Sequence, residues 1–171
     1  MSKFLVIAEK PSVAHRYAKN LSAYKREDGY LEGESCIVSW CLGHLAEYAQ
    51  PEEYDPKYEK WQFDDLPILP EAWKLKVSKD KKKQFEVIKT LMNRSDVEYL
   101  VNGCDAGREG ELIFQRVYDL AGCRKPVKRL WISSMEDAAI QKGFQTMKSE
   151  EEYKNLCMAA VCRAQADWLI G

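Results

Sequence analysis

The sequence is short of the residues that mark metal cages, exported proteins and membrane proteins. Only two histidines, His15 and His44, stand among its 171 residues, and neither lies at zinc-ligand spacing from a cysteine. The six cysteines (Cys36, Cys41, Cys104, Cys123, Cys157 and Cys162) include no CxxC pair, so no zinc site is legible. No export signal opens the chain, because Met1 to Lys3 leads directly into an apolar, strand-like run. Unpaired cysteines without such a signal point to a reducing cytoplasm, where Cys acts as a small buried apolar residue. No apolar stretch approaches membrane-spanning length. Net charge is only −1, so any nucleic-acid surface has to be a local basic patch. Phosphate-cradling glycine loops are also missing: Gly107 and Gly110 do not make GxGxxG, and no GKS or GKT follows, which leaves a Rossmann or P-loop assignment poorly supported. There is no internal repeat and no low-complexity tract.

What remains is one domain's length of chain, 46% hydrophobic and 31% charged, enough to bury a real core. Strand and helix patterns alternate along it. Phe4 to Ala8 is nearly all apolar and reads as a buried strand. Pro11 sits where a helix can start, with Val13, Tyr17 and Leu21 on one face. Tyr30 to Leu31 and Ser35 to Cys41 form a strand pair turned at Gly33. Gln50 to Val77 holds Pro51, Pro56, Pro67 and Pro70 with Trp61, Phe63 and Trp73, an ordered excursion pinned by aromatics. Lys79 to Met92 is an amphipathic helix with Phe85, Ile88 and Leu91 inward. Tyr99 to Val101 and Val127 to Ile132 are further strands, and Gly110 to Leu120 is a helix between them. Asp137 to Met147 and Glu151 to Leu169 are closing helices. The alternation predicts an α/β fold with a mainly parallel central sheet and helices on both faces.

The chemistry gathers at two strand ends, where open parallel sheets build their sites. Glu9-Lys10 follows the first strand. Asp105-Ala-Gly-Arg108-Glu109-Gly-Glu111 follows the second. If the two strands are neighbours, four carboxylates, a lysine and an arginine converge. Crowded carboxylates repel, and a hard divalent cation resolves the repulsion. Mg²⁺ needs only one or two carboxylates plus waters and substrate phosphates, and phosphoryl transfer uses such an ion. A plainer reading stands beside this one: Asp105 as a helix cap, with Glu9, Glu109 and Glu111 complementing helix dipoles and Arg108 pairing with a neighbouring carboxylate. Among the basic runs, Lys79, Lys81, Lys82 and Lys83 read as a solvated helix face. Arg124, Lys125, Lys128 and Arg129 read as a surface loop or a nucleic-acid patch. His44 reads as structural and Trp131 as core or a base-stacking platform. Ser133 and Ser134 read as phosphate contacts or, for one of them, as a cap near Glu136.

Several ordered segments together resemble the type IA DNA topoisomerases, in particular the topoisomerase III group. Leu-Val-Ile-Ala-Glu9-Lys10-Pro-Ser-Val-Ala resembles their opening, and Trp40-Cys-Leu-Gly43-His44-Leu45 the next segment. The Pro-rich stretch from Gln50 to Trp73 follows their pattern. Asp105 to Ile113 resembles the acidic segment of the Toprim domain. Arg129 to Met135 and Arg163 to Gly171 resemble further segments, so the likeness covers essentially the whole chain.

The resemblance implies a Toprim-type fold over residues 1–150, with 151–171 beginning the next topoisomerase domain. It also implies ATP-independent breakage of single-stranded DNA, strand passage and rejoining through a phosphotyrosine. Glu9 would handle the proton of the 3′-hydroxyl, Lys10 would stabilise charge on the scissile phosphate, and Arg108 would position DNA or carboxylates. Asp105 would bind Mg²⁺ with Glu109 assisting, and Glu9 or Glu111 would be recruited. Lys10, Arg108 and Arg163 would contact DNA. Two departures stand out. The family's Asp-x-Asp-x-Glu pattern has Gly107 in place of its second aspartate, which predicts weaker metal binding or a backbone turn that needs glycine. No tyrosine here stands in the nucleophile's motif, so these 171 residues alone are expected not to cleave DNA. A self-contained Toprim nuclease or primase-like protein, and a non-catalytic DNA-binding module, are the alternatives.

Overall fold

Residues 5–8 carry no polar side chain, and they become the central strand. A computed structural model describes all 171 residues. In chain order it contains β1 (Lys3–Ala8), α1 (Pro11–Asn20), β2 (Lys25–Glu27), β3 (Tyr30–Glu32), β4 (Cys36–Trp40) and β5 (Ala46–Tyr48). There follow α2 (Pro51–Tyr54), β6 (Leu75–Val77), α3 (Lys82–Met92), β7 (Val97–Gly103) and α4 (Arg108–Leu120). The chain closes with β8 (Val127–Arg129), α5 (Asp137–Gln145), β9 (Lys148–Ser149) and α6 (Lys154–Ile170).

Seven strands form one sheet in the order β2-β3-β4-β1-β7-β8-β9, and β5 pairs with β6 apart from it. The four central strands β4, β1, β7 and β8 are parallel. Both flanks are antiparallel, so the parallel character expected of the sheet belongs to its centre. The hairpin near Gly33 makes one flank and short β9 the other. Strand β1 is covered on both faces, which is why its sequence is a continuous apolar run rather than an alternation. Leu5 and Ile7, with Ile37 and Leu100, face a core closed by Phe85 and Ile88 of α3 and Ile113 and Phe114 of α4. Val6 and Ala8, with Val38 and Val101, face a second core closed by Ala14 and Tyr17 of α1 and Ile140 of α5. Helices therefore cover both faces.

Strand β8 stops at Arg129, short of Ile132, because its register ends opposite Asn102, next to the last residue of β7. Lys79, Lys82 and Lys83, in a 3-10 turn and the entry to α3, are the solvated face expected of them, but Lys81 is half-buried and donates to the His44 carbonyl at 2.8 Å. Of the aromatics expected to pin the Pro-rich excursion, Trp73 does so, helped by Tyr54 against Trp168 and by buried Ile68. The Trp73 ring lies 4.8 Å from Tyr48 and 5.2 Å from Trp168 of α6. Trp168 also donates its indole N–H to the Ala49 carbonyl at 3.0 Å. Trp61 and Phe63 stand 54% and 86% exposed, which corrects the expectation that they anchor the segment. Four cysteines are buried and behave as core residues. Cys157 is half-buried and Cys162 exposed, both on α6.

Candidate active site

Adjacent parallel strands deliver their following residues to one edge. β1 and β7 run in register to Ala8 opposite Gly103, so Glu9 and Asp105 emerge side by side. The Asp105 backbone N–H donates to Glu9 Oε2 at 3.2 Å. Glu9 is nearly buried (9%), whereas Asp105 and Lys10 are exposed. Burial, and next the Asp105 carboxyl against it, raise the Glu9 pKa above the ordinary carboxylate value. The Asp105 N–H and the Lys10 ammonium oppose that rise.

Two glycines shape the loop between Asp105 and α4. Gly107 has φ +148°, where L side chains are strained, yet a Cβ there would meet nothing within 4 Å. The backbone turn, not crowding, favours glycine there. Gly110 is the opposite case: a Cβ would lie 1.9 Å from the Asp105 carbonyl oxygen. Its absence lets the loop fold onto the first turn of α4.

Beneath the loop lies Arg129, which is fully buried and not the surface or loop residue its sequence neighbours suggested. Its Nε donates to Glu111 Oε1, and its Nη1 to the Cys104 and Leu130 carbonyls. Its Nη2 donates to the Asp105 carbonyl at 2.8 Å. One guanidinium thus ties β7, the carboxylate loop, α4 and β8 together. Glu111 is consequently withdrawn from the edge. It lies two residues beyond Glu109 on α4, about 200° around the helix, and faces inward at 1% exposure. Glu150 sits beside it and accepts from Asn102 Nδ2 at 3.3 Å. Burial, then Glu111, push the Glu150 pKa up to about 8, so one proton relieves the repulsion of the two carboxyls.

Glu109 points outward, its side chain 72% exposed, and its Oε2 lies 2.9 Å from His44 Nε2. His44 thus has a carboxylate partner at the mouth of the site. The expected convergence of four carboxylates is corrected to two. Glu9 and Asp105 meet, Glu109 turns to His44, and Glu111 is ion-paired below. No group of three or more His, Cys, Asp or Glu side chains is arranged to hold a metal. The Glu9–Asp105 pair still suits Mg²⁺, whose hard oxygen shell is completed by waters and phosphates. Two abutting carboxyls, one with a raised pKa, are the donor chemistry a dication relieves.

Arg108, Glu109, His44 and Arg163 line a groove of about 730 Å³ between α4 and α6, which also includes Arg116. The geometry brings Glu9, Lys10, Asp105 and Arg108 to the same edge by sequence position and strand register, and Arg163 to the groove beside it. Trp131 is 42% exposed, stacked on Tyr153 at 5.1 Å, with the Arg129 guanidinium carbon 5.1 Å from the centre of its ring. It packs against Arg129 rather than inside the core. The Glu136 N–H donates to Ser134 Oγ at 3.2 Å at the start of α5.

The central parallel sheet with carboxylates at its carboxyl edge is the Toprim architecture, and residues 4–135 match the Toprim domain. The chain belongs to that family. Over all 171 residues it is 50% identical to DNA topoisomerase 3 of Bacillus subtilis (strain 168) and 52% identical to DNA topoisomerase 3 of Bacillus cereus. It spans 24% of the length of each of these relatives. Full-length topoisomerase I from Thermotoga maritima superposes with a TM-score of 0.57 over 92% of this chain and 22% of that one. At 19% identity that likeness speaks to the fold.

Proposed function

We propose that this chain is the Mg²⁺-binding Toprim part of a type IA DNA topoisomerase, an enzyme that breaks, passes and rejoins single-stranded DNA without ATP. The observation that carries the reading is the meeting of Glu9 and Asp105 past two adjacent parallel strands, in a chain similar along its whole length to DNA topoisomerase 3. That whole-length similarity favours it over a self-contained Toprim nuclease, a primase-like protein or a DNA-binding module. On this reading residues 1–150 form the Toprim unit and 151–171 begin the next domain. The remaining domains supply the nucleophilic tyrosine, so this segment alone does not cleave DNA. On the same reading the protein works where it meets DNA, in the cytoplasm.

Glu9 and Asp105 would hold the cation, with Glu109 approaching once it leaves His44; Glu111 has no part in it. A bound Mg²⁺ supplies positive charge for the phosphoryl oxygens. Glu9 does the proton work. It would give a proton to the 3′-oxygen as the DNA strand breaks and take it back on rejoining. Lys10, exposed next to it, offsets charge on the phosphate. Arg108 and Arg163, both exposed and lining the groove, hold the strand's backbone.

A Mg²⁺ titration read by backbone amide shifts tests the reading. Saturable shifts centred on Glu9 and Asp105, absent in Asp105→Ala, are expected. Shifts absent in the wild type at several millimolar metal would overturn the metal assignment, and helix capping is no substitute, since Gly107 and Lys10 occupy the N-cap positions of α4 and α1 with no side-chain cap bond.

A further inference from the structure

One cationic side chain of the groove has no role in the reading above. Arg116 lies two helical turns beyond Arg108 on the same face of α4, about 12 Å along the axis. It lines the groove together with Arg108 and Arg163. The side chain is held from one side only. Its Nη1 donates to the Ala46 carbonyl at 3.3 Å, and its guanidinium carbon lies 4.7 Å from the centre of the Tyr48 ring. No carboxylate pairs with it, and its Nε is buried with no hydrogen-bond partner. Its Nη2 makes no hydrogen bond within the chain and stays accessible, a charged donor left open to an oxyanion in the groove.

The groove suits one that is a link in a chain. On the α6 side its lining includes the small side chains Ala160 and Ala164 beside Arg163 and Asp167, which leaves room for a backbone. Of the acidic groups in the groove, Glu109 is occupied by His44 at 2.9 Å and Asp167 lies 3.7 Å from Arg163. Arg108 and Arg116 are left as free positive charges spaced along a single helix. A planar, five-donor guanidinium stacked on an aromatic ring is a pre-set phosphate clamp.

We propose that Arg116 contacts a backbone phosphate of single-stranded nucleic acid, and that the strand's track runs from the Glu9–Asp105 loop along α4 past Arg108 to the β5 strand. The assignment rests on the DNA reading above and adds to it a residue and a direction.

The test is anisotropy of a fluorescein-labelled oligodeoxythymidylate titrated with this chain across a range of NaCl concentrations. Arg116→Gln should weaken binding about tenfold. It should also lower the slope of log affinity against log salt by about 0.7, the loss of one single-strand phosphate contact. Arg116→Met, which keeps an unbranched stem over Tyr48, should behave alike. Lys142→Gln, an equal charge change on exposed α5, should leave the slope as it is. Wild-type binding that Arg116→Gln and Arg116→Met both retain in full, slope included, would overturn the Arg116 contact and leave the DNA reading intact. A wild-type chain that fails to bind the oligonucleotide at low salt would overturn the DNA reading and the Arg116 contact with it.

Discussion

Replacing Arg129 by methionine should be the most damaging single change in this molecule. Arg129 is fully buried, and its ion-pair partner Glu111 is 1% exposed. Methionine fills most of the volume but removes the charge and every donor. Glu111 would then be an uncompensated buried carboxylate next to Glu150, and the Cys104, Asp105 and Leu130 carbonyls would each lose a bond. Breaking a buried pair from one side costs about 3–5 kcal/mol. That is a large share of a total stability on the order of 5–15 kcal/mol. Urea unfolding followed by circular dichroism at about pH 6, where Glu150 keeps its proton, gives the number. The companion is Arg129→Met with Glu111→Gln. Removing the stranded charge should recover part of the loss, giving a non-additive cycle of about 1 kcal/mol or more. If Arg129→Met costs less than about 1 kcal/mol, or the double variant is merely additive, the account of Arg129 as the tie between loop, helix and sheet is wrong.

Two further outcomes follow from the same region. The Glu150 pKa is raised from 4.5 to about 8 by burial and Glu111, so the folded state holds a proton that the unfolded chain has released. Its contribution to stability is complete below about pH 4.5 and is lost as pH climbs through about 8. Melting temperatures between pH 5 and 9 should fall with pH in the wild type and fall less in Glu150→Gln; parallel curves for the two would refute the shift. Gly110→Ala places a methyl 1.9 Å from the Asp105 carbonyl oxygen, a backbone atom that cannot swing aside. The gain in helix propensity, about 1 kcal/mol, is outweighed by overpacking of about 1–3 kcal/mol or more. A lower melting temperature together with weakened Mg²⁺ shifts at Asp105 is expected, and an unchanged metal response would show that the loop does not depend on that approach.

Much of this was legible in the sequence because local rules were obeyed. A four-residue apolar run has to be buried on both sides, and Leu5, Val6, Ile7 and Ala8 are. Pro11 starts α1 because its missing N–H is not needed there. The edge carrying Glu9 and Asp105 was likewise readable, since a site past parallel strands needs only that the two strands be neighbours. The fate of each carboxylate was not readable. Glu109 and Glu111 are both acidic and two residues apart, and only the rotation of α4 against the sheet sends one to His44 and the other to Arg129.

The arginines make the same point. Arg129 follows Lys128 in a basic run, and composition alone reads such a run as solvated. Strand alternation would have put successive residues on opposite faces, but not named the buried one or its partner on another element. Arg116 carries a faint signal, eight residues from Arg108 on one helix, whose meaning depends on α6 lying across from it. Sequence by itself determined the elements and the edge where chemistry gathers, because these follow from backbone propensity, apolar periodicity and residues close along the chain, and the likeness of its ordered segments to known ones gave the family. Tertiary structure alone decided which charges are buried, which are paired and which are left free, because desolvation and ion pairing depend on groups up to a hundred residues away that only packing brings within a few ångströms.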